Sequence, residues 1–180
     1  MKKVSFKVSL GGIISAICLF LMFMTGFMPL LVYALPAIAG ALLVVIVIEI
    51  NRKWAFVTYA SISILSLFIT PDKEAAILFI FFMGYYPIIK SLIEKIKNPV
   101  FEWASKLILF NVAIIIAYKI IINIFGIVDI TKELSFLGKY SMLGLLVMAN
   151  IVFVIYDIAL TRAISSYITW FRPKILRKFR

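Results

Sequence analysis

The stretch VSLGGIISAICLFLMFMTGFMPLLVYALPAIAGALLVVIVI (residues 8–48) contains no charged side chain. It is too long for one crossing of a hydrocarbon core about 30 Å thick, which takes about 20 helical residues. Gly26, Pro29 and Pro36 interrupt it near its middle, and such residues favour turns and helix ends. The stretch therefore predicts two membrane-spanning helices joined by a tight turn.

The rest of the chain is similarly apolar. Apolar residues make up 64% of the 180 residues and charged residues 15%, with a mean hydropathy of +1.13, whereas soluble domains contain roughly 45–50% and 25%. The alternating pattern of a membrane β-barrel is absent from the sequence. We therefore predict an all-α polytopic membrane protein, a single domain with a bundle of six transmembrane helices. The predicted spans are residues 8–28, 30–50, 54–70, 75–93, 104–127 and 137–160, followed by a basic tail at 161–180.

Lysine and arginine are distributed unevenly between the connections. Of the 19, one lies inside a span, three lie in the connections of one side, and fifteen lie in residues 1–7, 51–53, 90–106 and 161–180. Because basic residues near helix ends resist translocation, this basic side is predicted to be cytoplasmic, with both termini inside. Trp54, Trp103 and Trp170 fall on the same side, where indole rings favour the headgroup region.

The location of these charges explains the net charge of +11. Basic residues at helix ends face anionic lipid, so membrane lipids and not nucleic acid are the expected partner. We predict a multi-pass protein of the cell membrane, of the bacterial plasma-membrane type.

Catalytic and metal-binding motifs are absent from the sequence. It has no GxxxxGK[ST] phosphate loop, HExxH, CxxC or GxSxG, it contains no histidine, and its one cysteine is Cys18. We therefore expect no enzymatic activity, no cofactor and no metal. A lipid-modifying enzyme is the weakest alternative, because no histidine cluster or paired acids would transfer protons. Any uphill transport must be driven by a gradient or by another subunit.

The link after the fourth span has the pattern of an amphipathic helix. Apolar residues at 88, 89, 92, 93 and 96 alternate with Lys90, Glu94, Lys95 and Lys97. We expect the fourth span to leave the membrane as a helix, to turn at Asn98-Pro99, and to return through an interfacial segment. The link is either an ordinary basic loop or a docking surface for a cytoplasmic partner.

The fifth span carries polar residues on one helical face. Tyr118, Lys119 and Asn123 share this face with Asn111. Polar groups at membrane depth are costly, so each needs a partner or a function. Lys119 either extends its amine to the interface or contacts a ligand, and Tyr118 and Asn123 are ligand candidates beside it.

The sixth span places Asn150 and Asp157 on one face, since they are seven residues apart. Asn150 is either a ligand contact or the donor of an interhelical hydrogen bond. Asp157 is expected to form an ion pair with Arg162. At the outer turn before the fourth span, Asp72 and Glu74 either receive a cation or form a solvated turn.

Small residues in the first two spans predict close packing. Gly12 and Ala16 form a small-xxx-small motif, with Gly11 and Ser15 offset by one residue, and Gly40 lies in a similar run in the second span. The motif serves either packing inside the bundle or docking of another membrane subunit.

The fourth span is predicted to be kinked. Pro87 removes a backbone donor and frees the carbonyl of Met83, while Gly84 permits a close approach. The tyrosines beside them are packing groups or, for one of them, a ligand-stacking group.

The layout of about 180 residues, six spans, inside termini and a small-xxx-small motif in the first span resembles the S components of energy-coupling factor (ECF) vitamin transporters. In that family the first-helix motif is Ala-xxx-Ala and contacts a transmembrane coupling subunit; here residues 12–16 read GIISA, with glycine as the first small residue. The resemblance implies a vitamin cavity formed by the later helices and the first outer loop. It would place Tyr33, Lys119, Asn123 and Asn150 near the ligand, and it implies separate ATPase subunits.

Two functions are therefore expected from the sequence. The first is a substrate-capture subunit for micronutrient uptake that has no ATPase of its own. The alternative is a non-transporting membrane scaffold or assembly partner that uses the basic cytoplasmic face.

Overall fold

The computed structural model describes residues 4–125 and 141–173. Within these stretches every regular element is a helix and no strand is present, so the all-α prediction is confirmed. The predicted features of residues 1–3, 126–140 and 174–180, including the charges of the 129–139 link, lie outside the described residues. The helices are α1 (Val4–Met24), α2 (Ala34–Glu49), α3 (Arg52–Ile69), α4 (Lys73–Leu78), α5 (Tyr86–Ile93), α6 (Pro99–Phe125) and α7 (Ser141–Ser166).

These helices form six rods in the described part of the chain. A π-helical turn, Phe79–Met83, joins α4 and α5 into one rod, and a second π-helical turn, Tyr167–Phe171, prolongs α7. The helix thus continues beyond residue 160, into the segment predicted as tail. A short 3₁₀ helix, Pro29–Leu31, connects α1 to α2.

Contacts between distant residues show that successive rods run in opposite directions. At one end of the bundle, Arg52 Nη2 donates to Ser91 Oγ at 3.0 Å and Arg172 Nε donates to Glu49 Oε1 at 3.0 Å. At the other end, Tyr33 donates to Glu74 Oε1 at 2.7 Å. We call the first the basic end and the second the opposite end.

Side-chain caps explain where three rods begin. Asn98 Oδ1 accepts the amide of Val100 at 2.9 Å, and Pro99 occupies the first position of α6, where its missing donor has no cost. Asn51 and Asp72 cap α3 and α4 in the same way. The expected continuation of the fourth span to residue 97 is not observed, because α5 ends at Ile93. Pro99 begins α6 and not a separate interfacial segment.

The central helix is α2, which contacts α1, α3, α4, α5 and α7. Apart from Glu49 at its end, its sequence between the caps is apolar, as expected for a helix surrounded by others. At Gly40 a Cβ would lie 1.9 Å from the carbonyl oxygen of Met83. The bare Cα of Gly40 therefore lets α2 meet the carbonyl that Pro87 leaves without its helical donor. The sequence predicted the free carbonyl of Met83 but not its contact with Gly40.

The π-helical turn is held from both sides. The amide of Gly84 donates to Phe79 O at 2.8 Å, a bond five residues back, and the Tyr59 hydroxyl donates to the Ile80 carbonyl. A Cβ at Gly84 would lie 2.6 Å from the Tyr59 ring. Since α2 and α3 both press on this turn, its irregular backbone is fixed by packing.

Among the described residues, four rods are long and apolar enough to cross a membrane: Val4–Met24, Lys73–Ile93, Pro99–Asn123 and Leu143–Phe171. Helix α2 is apolar but has 16 residues, and α3 has 18 residues and begins with Arg52 and Lys53. Large apolar side chains face outward on these rods, such as Ile108 on α6 and Ile155 on α7, which are 65% and 63% exposed. An apolar exterior of this kind is compatible with a multi-pass membrane protein.

A candidate cavity beside α7 and a buried ion-pair cluster

A cavity of about 340 Å³ lies between α4 with its π-helical turn, α6 and α7. Its size lies within the range of small-molecule sites. The lining is apolar and aromatic apart from four residues: Tyr33, Glu74, Tyr118 and Tyr156. The cavity exists because α7 touches α6 and α2 but packs little against α4.

Glu74 and Tyr33 lie at the end of the cavity that belongs to the opposite end of the bundle. The cap at Asp72, which accepts the amide of Glu74 at 2.9 Å, fixes the backbone there. Lys73 turns away, because its Nζ donates to the carbonyls of Leu67 and Thr70 at 2.9 Å each. Among the described lining residues, Glu74 alone carries a charge. This end of the cavity is therefore acidic.

The other end of the cavity is aromatic. Phe110 and Phe153 stack at 4.6 Å between ring centroids, and Phe82 meets Phe110 edge-on at 5.0 Å. The Tyr156 hydroxyl is buried there, and within the described part of the chain it has no hydrogen-bond partner. Buried hydroxyls are usually paired, so this group needs an explanation.

The cavity contains two of the five predicted ligand residues. Tyr33 and Tyr118 line it, whereas Lys119 and Asn123 are exposed on α6 and do not. Asn150 also lies outside the lining.

Asn150 is instead paired with Asn111. Each amide donates to the side-chain oxygen of the other at 2.9 Å. Each amide also donates to a carbonyl one turn back in its own helix. Asn111 donates to Leu107 O at 2.8 Å, and Asn150 donates to Leu146 O at 2.7 Å. The structure thus shows the interhelical hydrogen bond that the sequence offered as the alternative for Asn150.

The small-residue motif of α1 is divided between two environments. Gly11 and Ser15 are partly buried, and a Cβ at Gly11 would lie 3.5 Å from Thr58 Oγ1 on α3. Gly12 and Ala16 are exposed, and a Cβ at Gly12 would meet nothing within 4 Å. One side of the motif packs inside the bundle, and the other is a surface.

A cluster of buried charges joins α5, α6 and α7 near the basic end. Lys90, Lys106 and Asp157 are 1%, 2% and 3% exposed. Lys90 contacts both Asp157 Oδ1 and, at 2.9 Å, Glu94. Lys106 lies 3.2 Å from Asp157 Oδ2 and 2.8 Å from Glu102. We call these five residues the charge cluster.

Hydrogen bonding saturates the cluster. Lys90 Nζ donates to the carboxylates of Asp157 and Glu94 and, at 3.3 Å, to the backbone carbonyl of Asp157. Each of its three protons therefore has an acceptor. The Tyr86 hydroxyl donates to the same Asp157 carboxylate, and Lys106 Nζ lies 5.0 Å from the centroid of the Trp103 ring. Buried charges persist only with such compensation.

The cluster corrects two expectations from the sequence. Asp157 pairs with Lys90 and Lys106, not with Arg162, which is exposed. Two of the four lysines assigned to an exposed basic link are interior groups. The signal available in the sequence was the pair of i, i+4 spacings, Lys90 with Glu94 and Glu102 with Lys106.

Together these contacts hold α7 asymmetrically. The charge cluster and the Asn111–Asn150 pair attach it to α5 and α6, and the Glu49–Arg172 ion pair attaches its extension to α2. Its earlier part borders the cavity with Leu145, Ala149 and Val152.

Comparisons with family models, curated proteins and solved structures gave no match for this chain.

Proposed function

We propose that this chain is the membrane-embedded ligand-capture subunit of an uptake transporter similar to the energy-coupling factor type. It takes a small nutrient molecule into the cavity beside α7 and has no ATPase of its own. The observation that carries this proposal is the cavity itself, a space of about 340 Å³ with an apolar lining and a few polar groups. That composition is typical of binding sites for small molecules.

The proposed topology has six crossings with both termini in the cytoplasm. The four long apolar rods supply four of these crossings, and the shorter helices α2 and α3 supply the other two. The basic end then faces the cytoplasm, in accordance with the positive-inside rule. The acidic end of the cavity lies toward the outer side, where a subunit that captures nutrients must accept its ligand.

The proposed energy source is a separate ATP-driven module with a transmembrane coupling subunit. This follows from the missing phosphate-binding loop and from the resemblance to S components. The exposed Gly12 and Ala16 of α1 offer the surface at which such a subunit would dock.

The scaffold alternative needs an accessible basic face. Lys90 and Lys106 are buried in ion pairs with Asp157. The accessible basic face therefore carries two fewer lysines than the sequence indicated. The balance of the observations favours capture.

The experiment compares the wild type with Ala149→Trp, which fills the cavity, and with Lys119→Gln, which changes an exposed charge on α6. Each protein is purified from host membranes in nanodiscs, and retained small molecules are measured by mass spectrometry. We expect one compound in the wild type and in Lys119→Gln, reduced about tenfold or more in Ala149→Trp, a loss equivalent to about 1.4 kcal/mol. Equal small-molecule content in all three proteins would contradict capture in this cavity.

The same preparations test the proposed partners. Two ATPases and a coupling subunit are expected to co-purify with the wild type. Recovery of unrelated proteins alone would count against the transporter assignment.

A further inference from the structure

We propose that the captured ligand is a small organic cation: a protonated amine on an aromatic body, with a polar group at its far end. The inference deepens the proposed function and rests on it. The ammonium group binds Glu74, the body lies between the aromatic walls, and the far group meets the Tyr156 hydroxyl.

Glu74 is the one charged side chain among the described lining residues, and the neighbouring Lys73 is engaged by two carbonyls that cap α3. A carboxylate beside an apolar cavity attracts a cation strongly, because water screens the pair less than in bulk solvent. An anionic ligand would meet this carboxylate with no opposing charge in the described lining.

Glu74 is also held in position for this role. Its backbone amide is fixed by the Asp72 cap, and its carboxylate accepts the Tyr33 hydroxyl at 2.7 Å. A carboxylate retains further lone pairs after accepting one hydrogen bond, so an ammonium donor can be added without displacing Tyr33.

The walls of the cavity are aromatic. Phe82, Phe110 and Phe153 line it as one cluster of rings in mutual contact, each 6% exposed or less. Aromatic faces favour flat apolar bodies and attract cations. From Glu74 to Phe82 the rod rises about 12 Å, at 1.5 Å per residue. That length suits one ring with a short alkylamine chain.

Tyr156 Oη is buried beside the cavity and lacks a partner among the described residues. A polar atom at the far end of the ligand would complete its hydrogen bonding, and a ligand without one would leave it unpaired.

The test uses three matched probes. Tyramine carries the amine and the far hydroxyl, phenethylamine lacks the hydroxyl, and 3-(4-hydroxyphenyl)propionate reverses the charge. Cys18 provides the readout, because it is the only cysteine of the chain and is fully buried, so a thiol-reactive fluorophore reports unfolding. A ligand that binds the folded state raises the midpoint of this transition.

We expect tyramine to raise the unfolding midpoint of the purified wild type in nanodiscs, phenethylamine to raise it less, and the carboxylate probe to leave it unchanged. Glu74→Gln can still accept the Tyr33 hydroxyl and should weaken tyramine binding about tenfold or more. Tyr156→Phe should reduce tyramine binding to the level of phenethylamine. Lys119→Gln, the control, should bind tyramine as the wild type does.

Two results would overturn the inference. One is equal stabilisation by the amine and the carboxylate probe, with no effect of Glu74→Gln. The other is no stabilisation of the wild type by tyramine at millimolar concentration. Neither affects the mass-spectrometric comparison with Ala149→Trp, which decides capture separately.

Discussion

Asp157 shows how one residue organises the interior of this chain. Its two carboxylate oxygens serve two lysines from two other helices, and its backbone carbonyl accepts both Lys90 Nζ and the Thr161 hydroxyl. The ion pairs compensate the cost of burying charge near the basic end, but they create a dependence. Removing Asp157 would leave the buried Lys90 and Lys106 with only the more exposed carboxylates of Glu94 and Glu102.

Replacing Asp157 by asparagine should therefore destabilise the protein by about 3–5 kcal/mol, because two buried ammonium groups lose their shared carboxylate. The measurement is the midpoint of Cys18 labelling on heating. Arg162→Gln is the control, since Arg162 is exposed and does not pair with Asp157. If both variants unfolded at the wild-type temperature, the charge cluster would not be a stabilising element.

Helix α2 crosses the fourth rod at close range, because a glycine stands at the crossing. Gly40 meets the carbonyl of Met83, and the π-helical turn formed there supplies Phe82 and Met83 to the cavity wall. The geometry of the cavity thus depends on a glycine in a neighbouring helix.

Gly40→Ala should lower the unfolding midpoint strongly, because its Cβ would lie 1.9 Å from backbone that cannot yield easily. Gly12→Ala is the matched control on α1. Its Cβ meets open space, and alanine favours helices over glycine by about 1 kcal/mol, so the midpoint should stay constant or rise. Equal losses for the two variants would argue against this crossing.

The Asn111–Asn150 pair links α6 and α7 and offers a second test at this scale. Asn150→Leu alone should cost about 1–3 kcal/mol, because Asn111 loses its partner, whereas Asn111→Leu with Asn150→Leu should be nearly neutral. A double-mutant cycle on the Cys18 transition measures this coupling. Additive losses would show that the two amides act independently.

Across the whole molecule, hydropathy predicted the helical architecture. Each of the six predicted spans overlaps a helical rod over the described residues, and the residues interrupting the fourth span, Gly84 and Pro87, lie at an observed break. These features are local, because they depend on residues within one or two helical turns.

The features that sequence reasoning missed depend on distant contacts. Lys90 and Asp157 are separated by 67 positions, and their burial becomes visible only when the three helices are assembled. The cavity arises where α7 fails to pack against α4, and no local pattern encodes such a gap. For this reason Tyr156 was not predicted as a site residue, although Tyr118 and Tyr33 were.

If the proposed cavity accepts its ligand from outside the cell, Ala149 in its wall should be accessible to water-soluble reagents from that side. In a Cys18→Ser background, Ala149→Cys should react with a membrane-impermeant maleimide added to intact cells. Lys95→Cys, in the exposed turn at the basic end, should react only after the cells are opened. Labelling of Lys95→Cys from outside, or of Ala149→Cys only from within, would contradict a cavity that opens to the outer side.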